Sequence, residues 1–440
     1  MNVLLFLKGE FRQCRGIFLG LTLLLALSLA VACSVVQTER MVKRAAVSAA
    51  DQFDILVGAR GSRSALLLST VYLREEVTGL VPMPVMRSLS PNPADVAWAA
   101  PVAFGDRAGA SPLVGTTRAF VTQGDARRML AGRVFSSRTE AVAGALSGFS
   151  PGETFSPTHS AAGLSHGHRE TFTVVGILPE TGTPWDRAVL IPIESLWAMH
   201  GPLKTTPEKV QALQLNSPDA RNTIKSADKS LHADSHHDHE NEAIESWLTW
   251  SDEDFKKLPG ASALVVKPTN MAGAYRIRQH LLKSSAEDPA GGIVNIMAVF
   301  TGEALLELLA VFSTAAAALK AFAGSSAATS LAAALLTGFV LARLREKDLR
   351  LLRTMGAPRS YVFAAVWSAI ALAVTLAAVI AWALGTLFSL AAGRIIEAQS
   401  GVAMHLQPGL AEVGLLAAAA AAGALFAVIP AVVIGRKRLF

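Results

Sequence analysis

The sequence predicts an α-helical membrane protein with four transmembrane helices: one helix, then a large extracytoplasmic α+β domain, then three helices. Of the 440 residues, 51% are hydrophobic and only 17% are charged, whereas a soluble chain carries nearer a quarter charged residues. A bilayer span takes about 20 residues. Four uncharged runs have this length, at 16–36, 321–342, 362–393 and 413–435. A polar block of soluble composition, 37–300, separates the first run from the second.

The first run is predicted to be an uncleaved transmembrane helix that, with a short cytoplasmic N-terminus, occupies residues 1–36. A basic segment precedes the run and small residues end it, which also fits a signal peptide or a lipoprotein lipidated at Cys33. The apolar run continues past Cys33 to Val36, and alanine replaces the leucine usual three residues before a lipidated cysteine. These features favour the uncleaved helix.

Lysine and arginine near the helix ends predict the orientation. Segment 343–361 carries six basic and two acidic residues, and basic residues also occupy 436–438. Both segments belong in the cytoplasm, whereas the loop 394–412 has one basic residue and belongs outside. Both termini are then cytoplasmic and the block 37–300 is extracytoplasmic. Three basic residues after the first run oppose this assignment slightly: Arg40, Lys43 and Arg44.

Three segments are predicted after the extracytoplasmic block. Residues 301–342 form a connecting helix and the second transmembrane helix. Residues 343–361 form a cytoplasmic helix, and residues 362–440 hold the third and fourth transmembrane helices with the basic C-terminus. The net charge of +6 therefore gathers at membrane edges, and no interleaving of basic and aromatic residues indicates nucleic-acid binding.

The block 37–300 is predicted to be α+β, because strand and helix patterns interleave without a regular repeat. Short apolar runs predict strands at 53–57, 95–104, 113–120, 171–178, 188–193 and 262–266. Helical patterns predict helices at 64–74, 125–130 and 270–283. Residues 201–256 are rich in Lys, Asp, Glu and Ser, which predicts a polar insertion or mobile loop with a more ordered patch at Trp247–Trp250.

The sequence predicts no catalytic residues and no tightly bound cofactor. The pentapeptide G-x-S-x-G occurs around Ser150 and Ser165, but a nucleophile elbow needs a strand before the serine and a helix after it. Pro151 follows Ser150 directly, and Ser165 lies in a stretch rich in Gly and His. The P-loop pattern G-x-x-x-x-G-K-[ST] does not occur in the sequence, so the chain is not predicted to bind nucleotide in that way.

Histidines form two candidate metal-ligating clusters in the extracytoplasmic block. The first, in HADSHHDHENE, comprises His232, His236, His237 and His239. The second falls within ten residues and comprises His159, His166 and His168. Imidazole and carboxylate are ligands of Zn²⁺, which makes Zn²⁺ the candidate ion, in the first cluster ahead of the second. A solvated polar loop and structural turn histidines are the simpler interpretations of the two clusters.

Segment 343–361 predicts a membrane helix that continues as a short amphipathic helix. Apolar residues alternate with charges at helical spacing from Leu344 to Met355. Gly356 is placed to cap the helix end, and Pro358 stops it. Taken alone, the pattern fits a juxtamembrane segment with interfacial arginines equally well.

Three blocks of the sequence resemble ABC transporter permeases of the MacB/FtsX type. Segment 343–361 is similar to the family pattern E-[KR]-x-[ED]-[LI]-x-[LT]-L-R-x-[LM]-G-A at Glu346, Asp348, Leu349, Leu352, Arg353, Met355, Gly356 and Ala357. Blocks 53–72 and 174–187 resemble the V-G-A-[KR]-G-S…L-S-T-V-Y and V-V-G-I-L-x-x-T-G-T-P-x-D-R segments of one branch. The resemblance covers most of the chain, and region 201–256 with its histidines departs from it.

The resemblance implies a non-catalytic permease subunit of the bacterial inner membrane that homodimerises and binds one cytoplasmic ABC ATPase per protomer. The coupling helix 343–361 would contact the ATPase through Glu346, Asp348, Arg350, Arg353, Met355 and Gly356. ATP hydrolysis would change the shape of the extracytoplasmic domain, for export or extraction of a periplasmic partner or substrate, in a system that the histidines link to metal. The alternative is a membrane-anchored extracytoplasmic sensor or scaffold without an ATPase.

Overall fold

The fold divides into a helical unit and a sheet unit. The computed structural model describes residues 15–74, 79–159, 170–200, 244–287, 292–344, 351, 354–407, 409–429 and 431–432. The helical unit comprises Met1–Ala45, Leu309–Gln399 and Met404–Phe440, and the sheet unit comprises Ala46–Leu308 and Ser400–Ala403.

Ten α-helices lie in the described residues. In chain order they are α1 (Arg15–Ala50), α2 (Arg63–Thr70), α3 (Pro84–Arg87), α4 (Arg118–Thr122), α5 (Ile193–His200), α6 (Asp252–Phe255), α7 (Met271–Leu281), α8 (Thr301–Leu344), α9 (Arg359–Ser400) and α10 (Leu410–Phe426). Helices α1, α8 and α9 contain segments long and apolar enough to cross a membrane.

The prediction of a helical membrane protein with an α+β domain is confirmed in its main features. The predicted fourth span, 413–435, begins as α10, which has 17 residues, whereas a bilayer takes about 20. Helical backbone recurs at 428–429 and 431–432, and residues 433–440 lie outside the described part of the chain. The count of four spans therefore stays a prediction.

The long helices extend further than the apolar runs that predict them. Helix α1 continues to Ala50 rather than ending near Val36, and α8 is one continuous helix of 44 residues. Helix α9 continues to Ser400, so the predicted loop 394–412 is shortened to residues 401–409. The reason is that Glu, Gln, Lys and Arg favour helix formation, so charge marks the end of an apolar segment without ending the helix.

Helix α1 packs against α9 through small and branched side chains. Leu25, Ala26, Leu29, Ala30 and Cys33 form one buried stripe of α1 at helical spacing. A Cβ atom at Gly385 of α9 would lie 3.0 Å from the Cβ of Cys33. This contact would be tighter than ordinary van der Waals contact, so the absence of a side chain at Gly385 suits the close approach of the two helices.

Ion pairs join α1 to α8 and α10 within the helical unit. Arg40 contacts Glu412 at 2.8 Å, and Glu412 is almost completely buried. Glu39 pairs with Lys43 and with Lys320, each at 2.7 Å. Arg40 and Lys43, two of the three basic residues that oppose the predicted orientation, are thus paired with carboxylates.

Twelve strands lie in the described part of the sheet unit. They are β1 (Ile55–Ala59), β2 (Val96–Ala108), β3 (Ser111–Thr116), β4 (Ala131–Gly132), β5 (Glu140–Ala143), β6 (Thr154–Phe155), β7 (Thr158–His159), β8 (Phe172–Ile177), β9 (Val189–Pro192), β10 (Ala263–Pro268), β11 (Ser285–Glu287) and β12 (Ile293–Phe300). The order is β11-β12-β1-β10-β2-β3-β9-β5-β8-β4, with β6 paired to β8 and β7 to β2. The β3–β9 and β5–β8 pairs are parallel and the others are antiparallel, so the sheet is mixed, as an α+β domain predicts.

Two of the predicted elements are wrong in part. Residues 125–130 are not helical: Asp125 has φ +70°, and the Leu130 N–H donates to the Ile177 carbonyl at 2.8 Å. The predicted strand 113–120 ends at Thr116 and is followed by α4. In both places a turn follows an apolar run, and the sequence pattern does not locate that turn.

The predicted helix 270–283 corresponds to α7. Asn270 caps it, since its side chain accepts a hydrogen bond from the Gly273 N–H at 2.8 Å. Ala274, Ile277 and Leu281 form its buried face, as expected for a helix that packs on a sheet.

The polar insertion is narrower than predicted. Trp247 and Phe255 are each only 1% exposed and belong to the core of the sheet unit. The Trp247 indole N–H donates to Glu194 Oε1 at 2.7 Å. Residues 244–256 are therefore part of the folded domain, and 201–243 lie outside the described residues.

We expect Asp95→Asn to lower the thermal unfolding midpoint of the detergent-solubilised chain by several degrees at pH 7. Arg276 donates to both oxygens of Asp95 and Ser90 donates at 2.8 Å. These hydrogen bonds hold the pKa of Asp95 at about 2. Because the folded-state pKa lies below the unfolded value near 3.9, the stabilisation is complete above that value and is lost as the pH falls towards 2.

The difference between wild type and Asp95→Asn should therefore narrow between about pH 4 and pH 2. Asp252→Asn is the matched control, since Asp252 also pairs with an arginine, Arg87, but its side chain is 87% exposed, and exposed pairs contribute little. A pH-independent difference, or equal effects of the two variants, would contradict this account.

Candidate functional site

A buried carboxylate on β2 is the centre of the candidate site. The pairing of β2 with β3 shifts register between Phe104 and Asp106, and the intervening Gly105 has φ +155°. Such a bulge redirects the side chain that follows it. The Asp106 side chain is completely buried.

Two histidines from other elements approach this carboxylate. His159 lies opposite Asp106 in the β2–β7 pair, and its Nδ1 is 3.0 Å from Asp106 Oδ1. His200 is the last residue of α5, and its Nε2 is 3.4 Å from Asp106 Oδ2. The three potential ligand atoms lie within 4.8 Å of one another. We call this group the Asp–His–His cluster.

The environment of His200 favours its charged form. Burial acts to lower the pKa of His200, but the hydrogen bond and the negative charge of Asp106 act in the opposite direction. The Leu196 carbonyl and the charge of Glu170 add to them, and the resulting pKa lies above the ordinary histidine value. The cluster therefore stabilises positive charge beside the carboxylate.

Among the described residues, one predicted metal-ligating histidine lies in this cluster. His159 is a member, whereas His166 and His168 lie outside the described residues. The four histidines of the other predicted cluster also lie outside them: His232, His236, His237 and His239. Asp106 and His200 were not predicted, because they lie far apart in the sequence and form no local motif.

The structure describes only part of the predicted ATPase-contact segment. Glu346, Asp348, Arg350 and Arg353 lie outside the described residues, whereas Met355 and Gly356 lie within them. The Met355 N–H donates to the Leu351 carbonyl at 3.1 Å, and Gly356 has φ +95°. The predicted helix end at Gly356 is thus confirmed, and α9 starts immediately after Pro358.

Exposed apolar side chains flank this helix end. Leu351 is 64% exposed and Met355 is 73% exposed. In contrast, Ala357, just after the turn, is buried. Leu351 and Met355 therefore present apolar surface that the described residues leave exposed.

A second well-ordered feature is the loop 181–187. Asp186 accepts the backbone N–H groups of Thr181, Gly182 and Thr183 at 2.8, 2.7 and 3.2 Å. Gly182 has φ +71°, and its carbonyl accepts the Ala403 N–H at 2.9 Å. The loop thus holds the segment 400–403, which directly follows α9, against the sheet unit.

The G-x-S-x-G sequence around Ser150 does not form a nucleophile elbow. Gly148 and Gly152 have φ +87° and +92°, and residues 144–153 form turns. The Ser150 N–H donates to the Glu153 carboxylate. This agrees with the prediction that the match arises from turn sequence, and Ser165 lies outside the described residues.

The helices and the mixed-sheet domain define the class of a membrane protein with one large α+β domain between its first and second apolar helices. Residues 320–439 match the family model described as FtsX-like permease C-terminal. The match supports the resemblance to ABC transporter permeases of the MacB/FtsX type over this part of the chain. No curated protein matches the chain significantly.

We expect Asp186→Asn to speed amide hydrogen exchange at residues 181–183. In wild type the carboxylate accepts hydrogen bonds from three backbone N–H groups. The side-chain amide of the variant turns an N–H group towards them, so at least one buried backbone N–H loses its acceptor. Such a loss costs about 1–3 kcal/mol, which corresponds to at least about fivefold faster exchange through local opening. Mass spectrometry of the full chain would measure it.

Asp51→Asn, at an exposed position of the same unit, provides the control and should leave exchange at 181–183 unchanged. Ala403 should also exchange faster in Asp186→Asn, because its N–H bonds to Gly182. Protection equal to wild type at both places would rule out the proposed role of Asp186.

Proposed function

We propose that this protein is the permease subunit of an ABC transporter, in which ATP hydrolysis by a separate cytoplasmic subunit changes the conformation of an extracytoplasmic domain. The match of residues 320–439 to the FtsX-like permease model carries the proposal. Permeases of this family generally work with an ABC ATPase, and the chain itself is a non-catalytic membrane subunit in this proposal.

The direct connections between long helices and the sheet support mechanical transmission. Helix α1 ends at Ala50 and β1 begins at Ile55, whereas α8 begins at Thr301 directly after β12. Strands β1 and β12 are hydrogen-bonded neighbours. The Thr301 N–H donates to the Asp54 carbonyl at 3.0 Å. A displacement of α8 would therefore act directly on the β1–β12 pair of the sheet.

The end of α9 provides a third connection to the sheet unit. Residues 400–403 follow α9 and belong to that unit. Their attachment is the hydrogen bond between Ala403 and Gly182, in the loop that Asp186 organises. Three separate helix ends thus lead into one folded domain, which suits a domain that is moved as a body.

The lining of the cavity in the helical unit favours transmission of motion over passage of a polar substrate. This cavity has a volume of about 130 Å³, and its lining is entirely alkyl: Leu25, Leu29, Ala327, Ala328, Leu331, Val374 and Ala419. An alkyl surface offers no hydrogen bonds to replace the hydration of a polar or charged molecule.

The ATPase contact is proposed at the coupling segment 343–361. An exposed apolar turn formed by Leu351 and Met355, followed by the sharp turn at Gly356, is suited to insertion into a partner groove. The resemblance assigns the further contacts to Glu346, Asp348, Arg350 and Arg353. In this proposal, the coupling segment and both termini lie in the cytoplasm of a bacterial cell. The protein lies in the inner membrane of that cell.

A homodimer is part of the proposal. Only 6% of the most apolar stretch of α8 is buried by the described residues. Large side chains such as Phe312 and Phe322 are exposed on this helix. Lipid and a second copy of α8 are the surfaces that can cover such a helix. The resemblance favours a dimer, and the exposed helix is available for it.

We expect reporter fusions to give an alternating topology. Fusions after residues 150 and 400 should report outside, and fusions after 355 and 440 should report inside, because lysine and arginine concentrate at 343–361 and 436–438. Alkaline phosphatase and fluorescent-protein fusions would measure the two sides. A cytoplasmic signal after residue 150 would contradict the predicted orientation and the function proposed from it.

We expect Arg353→Glu to abolish stimulation of the partner ATPase while leaving expression intact. An interface arginine paired with a carboxylate often costs more than about 2 kcal/mol to remove, since its partner stays buried and unpaired, and reversal adds repulsion. ATPase assays in nanodiscs that contain this protein and its partner ABC ATPase would measure the effect.

The matched control is Arg74→Glu, a charge reversal at an exposed position of the sheet unit, which should retain stimulation. Unchanged stimulation in Arg353→Glu would favour the alternative, a membrane-anchored sensor or scaffold that uses the sheet unit for binding without ATPase coupling.

A further inference from the structure

We infer that the Asp–His–His cluster of Asp106, His159 and His200 is a binding site for a divalent transition-metal ion, with Zn²⁺ the best match. The site lies wholly in the sheet unit. The inference rests on these three residues and uses neither the histidine-rich tract at 232–239 nor ATPase coupling.

The spacing of the ligand atoms suits tetrahedral coordination. Zn²⁺ binds nitrogen and oxygen ligands at about 2.0–2.1 Å, which puts neighbouring ligand atoms of a tetrahedron about 3.3 Å apart. The His159 Nδ1 to Asp106 Oδ1 distance is 3.0 Å and the His200 Nε2 to Asp106 Oδ2 distance is 3.4 Å. Small side-chain rotations about these positions would admit an ion among the three atoms.

The second ring nitrogen of His200 orients the first towards the ion. The His200 Nδ1 lies 3.0 Å from the Leu196 carbonyl oxygen, which can only accept, so Nδ1 carries the proton. In the neutral ring, Nε2 therefore presents a lone pair to the Asp106 carboxylate. A metal-ligating histidine typically donates its other N–H to a backbone carbonyl or carboxylate in this way.

The donor set selects among cations. Two imidazole nitrogens and one carboxylate oxygen favour zinc and similar transition metals, whereas Ca²⁺ and Mg²⁺ prefer oxygen ligands. The carboxylate is buried, and the nearby Glu170 adds negative charge that acts on His200. The His159 and His200 side chains are 39% and 22% exposed, which leaves access for the ion and for a water molecule or other fourth ligand.

The fold supplies these ligands from three separately anchored elements. The bulge in β2 directs Asp106, β7 carries His159 opposite it, and α5 ends at His200. The two imidazole rings lie edge to face with centroids 5.4 Å apart. Because each ligand is held by backbone structure, little ordering is needed for binding, in contrast to a site made from a polar tract.

The competing interpretation is that the three residues form a purely structural triad. In that case hydrogen bonds between the histidines and Asp106 take the place of metal coordination. Zinc titration of the metal-stripped full chain in detergent distinguishes the two. The experiment uses a background in which His232, His236, His237 and His239 are alanine. We expect one Zn²⁺ per chain by calorimetry, and visible absorption of four-coordinate Co²⁺ after substitution.

On this background, His159→Ala and His200→Ala should each weaken zinc binding at least about tenfold. Asp106→Asn should do the same while preserving shape. His405→Ala, which removes an exposed histidine outside the cluster, is the control and should bind as the background does. Thermal unfolding without metal checks that each variant folds. Because His200 is partly exposed, His200→Ala keeps the test valid if Asp106→Asn does not fold.

Two results would overturn the inference: no zinc bound on the background, or binding that survives both histidine substitutions. ATPase stimulation measured on the same proteins reports separately on the proposed function, so failure of the metal site and failure of the coupling are distinguishable.

Discussion

The pairing of β1 with β12 is the constraint on which the rest of the structure depends. Each of these strands is separated by at most a few residues from a long apolar helix, and the ladder between them runs from Ile55–Phe300 to Ala59–Ile296. Paired strands lie about 4.8 Å apart, so the sheet fixes the separation of the two chain segments that enter it. Residues Ile55, Leu56 and Val57 are fully buried, which makes opening this ladder costly. A force carried by α8 would therefore move the sheet as a body before it separated the strands.

The Asp–His–His cluster is connected to the β1–β12 pair through two further hydrogen-bonded strands. Strand β10 pairs with β1, and the first half of β2 pairs with β10. From Ala103 onward β2 pairs with β3, and after the bulge at Gly105 it also pairs with β7. The first half of this strand thus pairs with β10, and its second half directs Asp106. An ion at the cluster would join β2, β7 and α5, and so would stiffen the part of the domain beyond the bulge.

The sequence is informative where one segment alone determines the structure. Long apolar runs predict the long helices, alternating or continuous apolar runs predict most longer strands, and Gly356 with Pro358 predicts the turn before α9. Several strands are missed because they are only two to four residues long, or, as with β12, because the apolar residues run into a helix without a break.

The cluster itself could not be predicted from the sequence, for a related reason. Asp106 and His200 are brought together by the parallel pairing of β3 with β9, which precedes α5, and this is a tertiary event. The one available signal was Asp106, which follows a glycine inside an apolar strand. A carboxylate buried at such a place requires a hydrogen-bonding or charged partner. The histidine-rich tract attracts attention by composition, yet composition says nothing of whether a backbone holds the side chains in position. His159, in the sparser cluster, is the predicted ligand that a strand does hold in position.

Two of the three basic residues of α1 that oppose the predicted orientation have carboxylate partners. Arg40 and Lys43 are basic residues on the side predicted to be extracytoplasmic, where the positive-inside rule disfavours them. Arg40 is paired with the buried Glu412, and Lys43 shares Glu39 with Lys320. The third basic residue, Arg44, donates to the Gln407 side chain instead, so its positive charge is not paired with a carboxylate there. Removing Arg40 would leave a buried carboxylate without its partner, which is costly. The position of Arg40 in α1 is thus explained by its ion pair with Glu412 of α10.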